Sequence, residues 1–596
     1  MLTSIWLAAA GVCLMVWYLV WRGPLRRGLG MDPNRVSLGD RSGRWLPSWL
    51  LLAGQVTVLV GMAPLYSASL LLRFGLLPAL LWTALGSMLL GSLPYLAMQW
   101  ATLRSEGKSV GALMFAHLGG RGKQLLLVMG WLMSVLMLAM MVQIVTFFWD
   151  SEPQVVRPVD YTMDPVAMQQ AQESAEPGAQ VDITPYIDTE DYEQALESVA
   201  REAGWRSTAM TASLALVAVA ALYGALLYRF KRYAWLVTLV ALVGLAYALW
   251  QSANYPLELA PNLVSYALFG FALLSSLLPG HWLRVPRDML VGVLTLCVAA
   301  GCVLGALFTQ NKVTQPVFVN WHADGVGTLF PFLLMTTIAG GANAIYMLSI
   351  PHRMSRFELR EESGYSVVFG GTLTAAFVGV VTVIAVGQYG QLPLAALRGV
   401  VDAPRLVLGA VATMLTAIGL PLQWAWLAVT LVFVGCGLGA LEMSVRLGST
   451  LLHGIYFHQS GPPRAFSIDR LLAGFTTVMA AMLISSGDFW MLWPLFGAAS
   501  MGVCAVALLP VALWLRASGR GIWKLLGALC GALGLLSLGC MAASLLAQIF
   551  PSNNNILTSG SLILHGVIIA LMLATMIHSL TGIGKPPREL PPSMGK

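Results

Sequence analysis

The chain has 596 residues, 57% of them hydrophobic and only 10% charged, with a formal net charge of +7. A soluble domain carries about 25% charged residues, so this composition excludes an ordinary soluble globular protein. The positive balance does not mark a nucleic-acid binder either, because the basic residues sit in short loops between apolar runs, as membrane topology requires.

The first apolar run is Leu2–Trp21. It lacks a basic leading region, and Trp17, Tyr18 and Trp21 followed by Arg22, Arg26 and Arg27 read as an interfacial aromatic belt with a cytoplasmic basic flank, so it is expected to be a retained span. Trp49–Leu72, Leu77–Trp100 and Leu125–Trp149 follow, and similar runs continue to Leu562–Leu580. A hydrocarbon core about 30 Å thick takes roughly 20 helical residues to cross, and about fifteen such crossings are counted. Within a bilayer each backbone N–H and C=O must be satisfied inside its own segment, so the runs are helices. The expected fold is all-α: a polytopic transmembrane helical bundle with one additional short re-entrant or interfacial helix at Leu406–Leu420, which ends at Pro421.

The basic loops Arg22–Arg44, Arg104–Lys123, Arg229–Arg232, Arg284–Arg287, Arg353–Arg360, Arg446–Arg470 and Arg516–Lys524 place the N-terminus outside and the C-terminus in the cytoplasm. Four regions result. Residues 1–149 hold the first four spans with their basic loops, 150–207 form an acidic extracytoplasmic loop, 208–584 hold the remaining spans, and 585–596 form a cytoplasmic tail. The acidic loop carries about half of the chain's 27 acidic residues. Its Pro-rich first half reads as irregular, and Thr189–Ala203, acidic early and basic late, suits a short helix. It is either a solvated surface loop or a lid or docking site for a protein partner.

Helix breaks in a membrane expose backbone groups that can hold ions or carboxylates. Gly61-Met62-Ala63-Pro64, Gly91-Ser92-Leu93-Pro94, Gly340-Gly341-Ala342-Asn343 and Trp493-Pro494 are candidate breaks. The third follows Thr336-Thr337, so Thr336, Thr337, Gly340, Gly341 and Asn343 are the candidate substrate-binding residues. Helix packing alone is the competing explanation for each break. Intramembrane charges are few. Glu442 and Arg446 are spaced for an i,i+4 ion pair, and with Arg287 and Asp288 they are candidates for an inner gate or for structural pairs. Gln55, Asn343, His565 and His578 are the remaining polar groups of note. The seven cysteines all lie in apolar runs without CxxC spacing, so neither a disulfide framework nor a metal site is expected. No P-loop, HExxH, nucleophile elbow or dinucleotide fingerprint appears in a plausible context. No enzyme activity and no cofactor are therefore expected, and any transport is driven by a gradient.

Specific words in the sequence add to this. Gly28-Leu29-Gly30-Met31-Asp32-Pro33-Asn34-Arg35, Phe74-Gly75-Leu76-Leu77-Pro78, Glu106-Gly107-Lys108-Ser109-Val110-Gly111, Pro286-Arg287-Asp288, Leu329-Phe330-Pro331-Phe332 and Leu492-Trp493-Pro494-Leu495-Phe496-Gly497 resemble, in order, the blocks of the carbon starvation protein A family. These are bacterial inner-membrane carriers of peptides and, in some members, pyruvate. The resemblance implies a broken-helix secondary transporter for a small organic nutrient, with a coupling proton as a further partner. The chain departs from the family where polar residues matter. Gln55-Val56 stand where the family has a His-His pair, Tyr95 where it has an Asp, Ala344-Ile345-Tyr346 where it has Gly-Phe-His, and Glu442 where it has a later Asp. Such a divergent member either transports a different solute or has become a partner-binding or regulatory scaffold acting through the acidic loop.

Overall fold

Long apolar runs with no water to bond their backbone have one local solution, and the chain takes it. The computed structural model describes residues 3–28, 46–61, 71–104, 110–150, 205–255, 261–308, 313, 315–323, 327–329, 361–388, 403–457, 466–485, 489–518, 521–549 and a few positions between 566 and 578. These are helical except for turns, an extended segment near residue 317 and a two-residue antiparallel ladder of His322–Ala323 with Gly327–Thr328. The all-α bundle expected from the sequence is the observed architecture. Among the described residues, nine helices are long and apolar enough to cross a membrane, and five shorter apolar helices accompany them. The protein is a multi-pass membrane protein. The substrate candidates Thr336, Thr337, Gly340, Gly341 and Asn343, residues 151–204 of the acidic loop, His565 and the C-terminal tail lie outside the described residues, while the loop's expected ends, Asp150 and Trp205–Ser207, are helical.

The order begins with α1 (Thr3–Gly28) and α2 (Ser48–Val60). Then come α3 (Leu76–Leu81), a π-helical stretch π1 (Trp82–Ser92), α4 (Leu93–Arg104) and α5 (Val110–Asp150). After the acidic loop follow α6 (Trp205–Arg229), α7 (Ala234–Asn254), α8 (Pro261–Leu277) and α9 (Arg284–Phe308). A second group holds α10 (Glu361–Tyr365), π2 (Ser366–Gly370), α11 (Gly371–Gly387), α12 (Ala403–Thr416) and α13 (Leu422–Phe457). The last are α14 (Ile468–Ser485), α15 (Phe489–Ser518) and α16 (Ile522–Ile549).

Burial sorts these helices. α5, α11 and α13 are mostly enclosed, whereas α1, α7 and α14 turn rows of apolar side chains outward, among them Val12, Leu19, Val243, Leu472 and Leu483. In water such faces would be costly; in lipid they need no cover. α13 is the axis of the bundle. It packs on α5, α9, α8, α12 and α14, and at 36 residues it is about 54 Å long, more than a bilayer's thickness. α12 has 14 residues, about 21 Å, and is followed by a turn through Gly419 at φ 86°. That length is short of a full crossing, as the sequence suggests for this segment.

The expected breaks have different outcomes. α2 stops at Val60, and Gly61 takes φ 50°, ψ −138° while its N–H bonds back to the Thr57 carbonyl. A β-carbon is unfavourable at that φ. The 13 residues of α2 span only about 20 Å, so it is a half-helix. Gly91–Pro94, in contrast, is not a break. The winding is π from Trp82 to Ser92 and passes directly into α4. Pro94 has no N–H and its ring would strike the carbonyl four residues back in an α-helix; the wider winding accommodates it without interrupting the chain. Trp493-Pro494 lies inside α15. An extended segment clasps the turn before α3: Leu76 and Leu77 N–H donate to the Pro316 and Val317 carbonyls, Val319 N–H to that of Phe74, and Gln315 N–H to that of Gly387. Gly75, at φ 117°, admits the Phe318 backbone so closely that a β-carbon would sit 2.6 Å from its Cα.

Candidate functional site

The turn Pro279–Leu283 feeds into α9, with the Val285 N–H bonded to the Gly280 carbonyl and the Arg287 N–H to that of Leu283. Pro286 fits the first turn of a helix, where an N–H has no intrahelical acceptor. This sets Arg287 and Asp288 into the bundle rather than at its rim: they are 0% and 2% exposed. α13 runs alongside and brings Glu442, also fully buried, to Arg287 Nη1 at 3.0 Å. One helical turn later Arg446 Nη2 reaches the other Glu442 oxygen at 2.6 Å. Arg287 Nη2 holds Asp288 Oδ1 at 3.2 Å.

The two pairs singled out in the sequence are therefore one network, joined by the Arg287–Glu442 contact. Nothing in their spacing reports that contact, which comes from the packing of α9 on α13. Small residues permit the approach. A β-carbon at Gly435 would sit 2.6 Å from Val291 Cγ2. The network reaches further. Arg446 donates to the carbonyls of Ser275 and Leu278 at 2.9 and 3.0 Å, at the C-terminal end of α8. Those carbonyls lack intrahelical donors, and a cation there also suits the helix dipole. The Thr57 hydroxyl of α2 donates to the Asp288 carbonyl at 2.6 Å. Four helices, α2, α8, α9 and α13, thus meet at two arginines and two carboxylates, with Arg284 close by as a third cation. Burying such groups is tolerable only while all are matched, and removing one leaves an uncompensated charge. Beside Asp288 lies a cavity of about 10 Å³, lined by residues including Thr57, Arg284, Cys436 and Met443, enough for about one water.

A second polar locus lies on the opposite face of α2. Gln55 is fully buried, and neither its Oε1 nor its Nε2 has a hydrogen-bond partner. Its side chain lies against Gly371, where π2 passes into α11. π1 and π2 are both tied to α1 by adjacent residues. Trp17 Nε1 donates to Ser92 Oγ at 3.3 Å, and the Tyr18 and Ser366 hydroxyls share a hydrogen bond at 3.1 Å. The Tyr365 hydroxyl donates to the Tyr18 carbonyl. π windings often mark functional positions in helices. The sequence marks Gln55 as an uncharged polar group and, with Val56, as a departure from the family's His-His pair; neither signal shows that it lacks a partner, and neither π stretch is foreseen. Among the described residues no cluster of His, Cys, Asp and Glu is arranged to hold a metal ion.

Residues 45–402 match the profile of the family described as Carbon starvation protein CstA. The match includes Gln55, Arg287 and Asp288 and ends before Glu442 and Arg446. The chain is 21% identical over 397 residues to "Peptide transporter CstA" of Escherichia coli strain K12, covering 64% of this chain and 50% of that protein. It is 28% identical over 127 residues to "Pyruvate/proton symporter BtsT" of the same strain, covering 20% of this chain and 18% of the other. To "Peptide transporter CstA" of Mycobacterium tuberculosis it is 20% identical over 331 residues, 55% of this chain and 38% of that protein. The chain spans half or less of the length of the curated relatives it matches.

Proposed function

The chain belongs to the carbon starvation protein CstA family, and on that footing we propose that it is a secondary transporter of the bacterial inner membrane. Its solute is a small organic nutrient, a peptide or a carboxylate such as pyruvate, and its driving force is a proton gradient. Both solute classes occur in the names of its relatives. The N-terminus lies outside and the C-terminus in the cytoplasm, in keeping with the alternation of basic loops.

The observation that carries this reading is the buried charge network. A structural bundle gains little from two arginines and two carboxylates in its interior, since well-packed apolar residues serve stability as well or better. Ionisable groups at membrane depth are by default functional. Arg287 and Glu442 bridge α9 and α13, so exchanging their contact changes how these helices are held. In this reading Arg287, Asp288, Glu442 and Arg446 form the inner gate, and Thr336, Thr337, Gly340, Gly341 and Asn343 contact the solute. The half-helix α2, which touches this network through Thr57 and ends one turn later, supports the likeness to broken-helix carriers. Transport, with no bond made or broken in the solute, is proposed over catalysis.

Counterflow tests the proposal. Proteoliposomes loaded with unlabelled pyruvate or dialanine should take up the labelled compound from outside faster than protein-free vesicles. Rates equal to those of empty vesicles for both solutes and a wider dipeptide panel would contradict transport.

A further inference from the structure

Among the described residues Gln55 is the one side chain that is fully buried with both ends of its polar group unpartnered. Buried polar groups in folded proteins are nearly always hydrogen-bonded, and an orphaned one is destabilising. A leucine or methionine would fill the same volume at no such cost. The amide is also not part of the charge network. Thr57, two residues on and about 200° around the helix, faces Asp288, whereas Gln55 faces α11.

The surroundings are those of a site that rearranges. α2 ends at Gly61, about one and a half turns beyond Gln55. Opposite is Gly371, where a β-carbon would lie 2.9 Å from Gln55 Cγ, directly after the π turn Ser366–Gly370. A π turn holds more chain per turn than an α turn, and tightening it rotates the residues that follow. Such a rotation would move Gly371 relative to the carboxamide.

The chemistry of the carboxamide limits what it can bind. Nε2 donates and Oε1 accepts, side by side in one plane. A carboxylate offers only acceptors and leaves Oε1 unmatched or repelled. The N–H and C=O of one trans peptide bond point to opposite sides, but the N–H and the carbonyl or carboxylate oxygen of one residue in an extended peptide lie on one edge and match both. We propose that Gln55 recognises a peptide N–H of the transported solute together with the carbonyl or carboxylate oxygen of the same residue, which makes Gln55 a determinant of selection for peptides over simple keto-acids. The proposal rests on the transport reading above.

The test uses the full chain in proteoliposomes with dialanine, its ester isostere alanyl-lactate, which lacks the N–H, and pyruvate. Wild-type protein should take up dialanine at least tenfold better than the ester, as sites built to bond an N–H reject analogues without it. Gln55→Met should remove that discrimination and lower dialanine uptake at least tenfold, with a melting temperature equal to or above wild type. Four results would overturn the assignment. They are undiminished dialanine uptake by Gln55→Met, equal wild-type uptake of dialanine and ester, wild-type uptake of pyruvate without dialanine, and a lower melting temperature for Gln55→Met, which would mean that the amide is satisfied at rest. Each of the first three leaves transport standing. Wild-type uptake of none of the three compounds would overturn the transport reading itself, and this assignment with it.

Discussion

Glu442→Gln is the sharpest perturbation of the charge network. Each oxygen of the Glu442 carboxylate takes one guanidinium, Arg287 at 3.0 Å and Arg446 at 2.6 Å. The glutamine keeps the shape but turns one of those oxygens into a donor facing a donor. Arg446 then has no carboxylate partner, and Arg287 is left with Asp288 alone. Breaking a buried pair by removing one partner costs about 3–5 kcal/mol. Arg446 keeps its bonds to the Ser275 and Leu278 carbonyls, and Arg287 keeps Asp288, so the lower part of that range is expected. At about 1 °C per kcal/mol for a chain of this length, the detergent-solubilised protein should melt roughly 3 °C lower. The second variant is Arg287→Met, and the third combines both changes. If the contact is real, the double variant should be more stable than the sum of the singles by about 1–3 kcal/mol. Additivity within about 0.5 kcal/mol would refute the network as a coupled unit. An unchanged melting temperature with lost proton coupling would instead make Glu442 a proton carrier.

Three further outcomes are expected. Gly292→Ala should lower the melting temperature by the equivalent of about 1–3 kcal/mol, because its β-carbon would run into the Ala53 carbonyl of α2; a wild-type melting curve would contradict the close packing of α2 on α9. Thr337→Val should weaken ligand-induced thermal stabilisation, and Gly341→Leu should abolish it in protein that still purifies folded. A normal shift for Thr337→Val together with aggregation of Gly341→Leu would remove that segment from the site. A cysteine in place of Ser174 should react with a membrane-impermeant maleimide in cells with a permeabilised outer membrane, and labelling only after inner-membrane lysis would reverse the topology.

The helical bundle was legible because bilayer chemistry leaves one option for an apolar run, and counting runs requires no tertiary information. The end of α2 at Gly61 was legible for a similar reason, since Gly-Met-Ala-Pro disfavours helix locally. The i,i+4 spacing of Glu442 and Arg446 put them on one helix face, but their junction with Arg287 depends on a contact between residues 155 apart in the chain. Only packing of α9 on α13 reveals it. The π windings were invisible for another reason: Trp82–Ser92 and Ser366–Gly370 have ordinary helical composition. Gln55 stood out as polar, but its lack of a partner is a property of everything around it. The extended clasp at Gln315–Val319 is likewise a product of its neighbours, held by carbonyls and N–H groups of Leu72–Leu77 and Gly387.

The central claim is gradient-driven solute movement, and one measurement addresses it directly. Purified protein in sealed proteoliposomes would be given labelled dialanine and, separately, labelled pyruvate, under an inward proton gradient, without a gradient, and with a protonophore. The account predicts accumulation of solute above its external concentration only under the gradient, and its collapse when the protonophore is added. Uptake that is the same in all three conditions, or no greater than in empty vesicles for either solute, would contradict it.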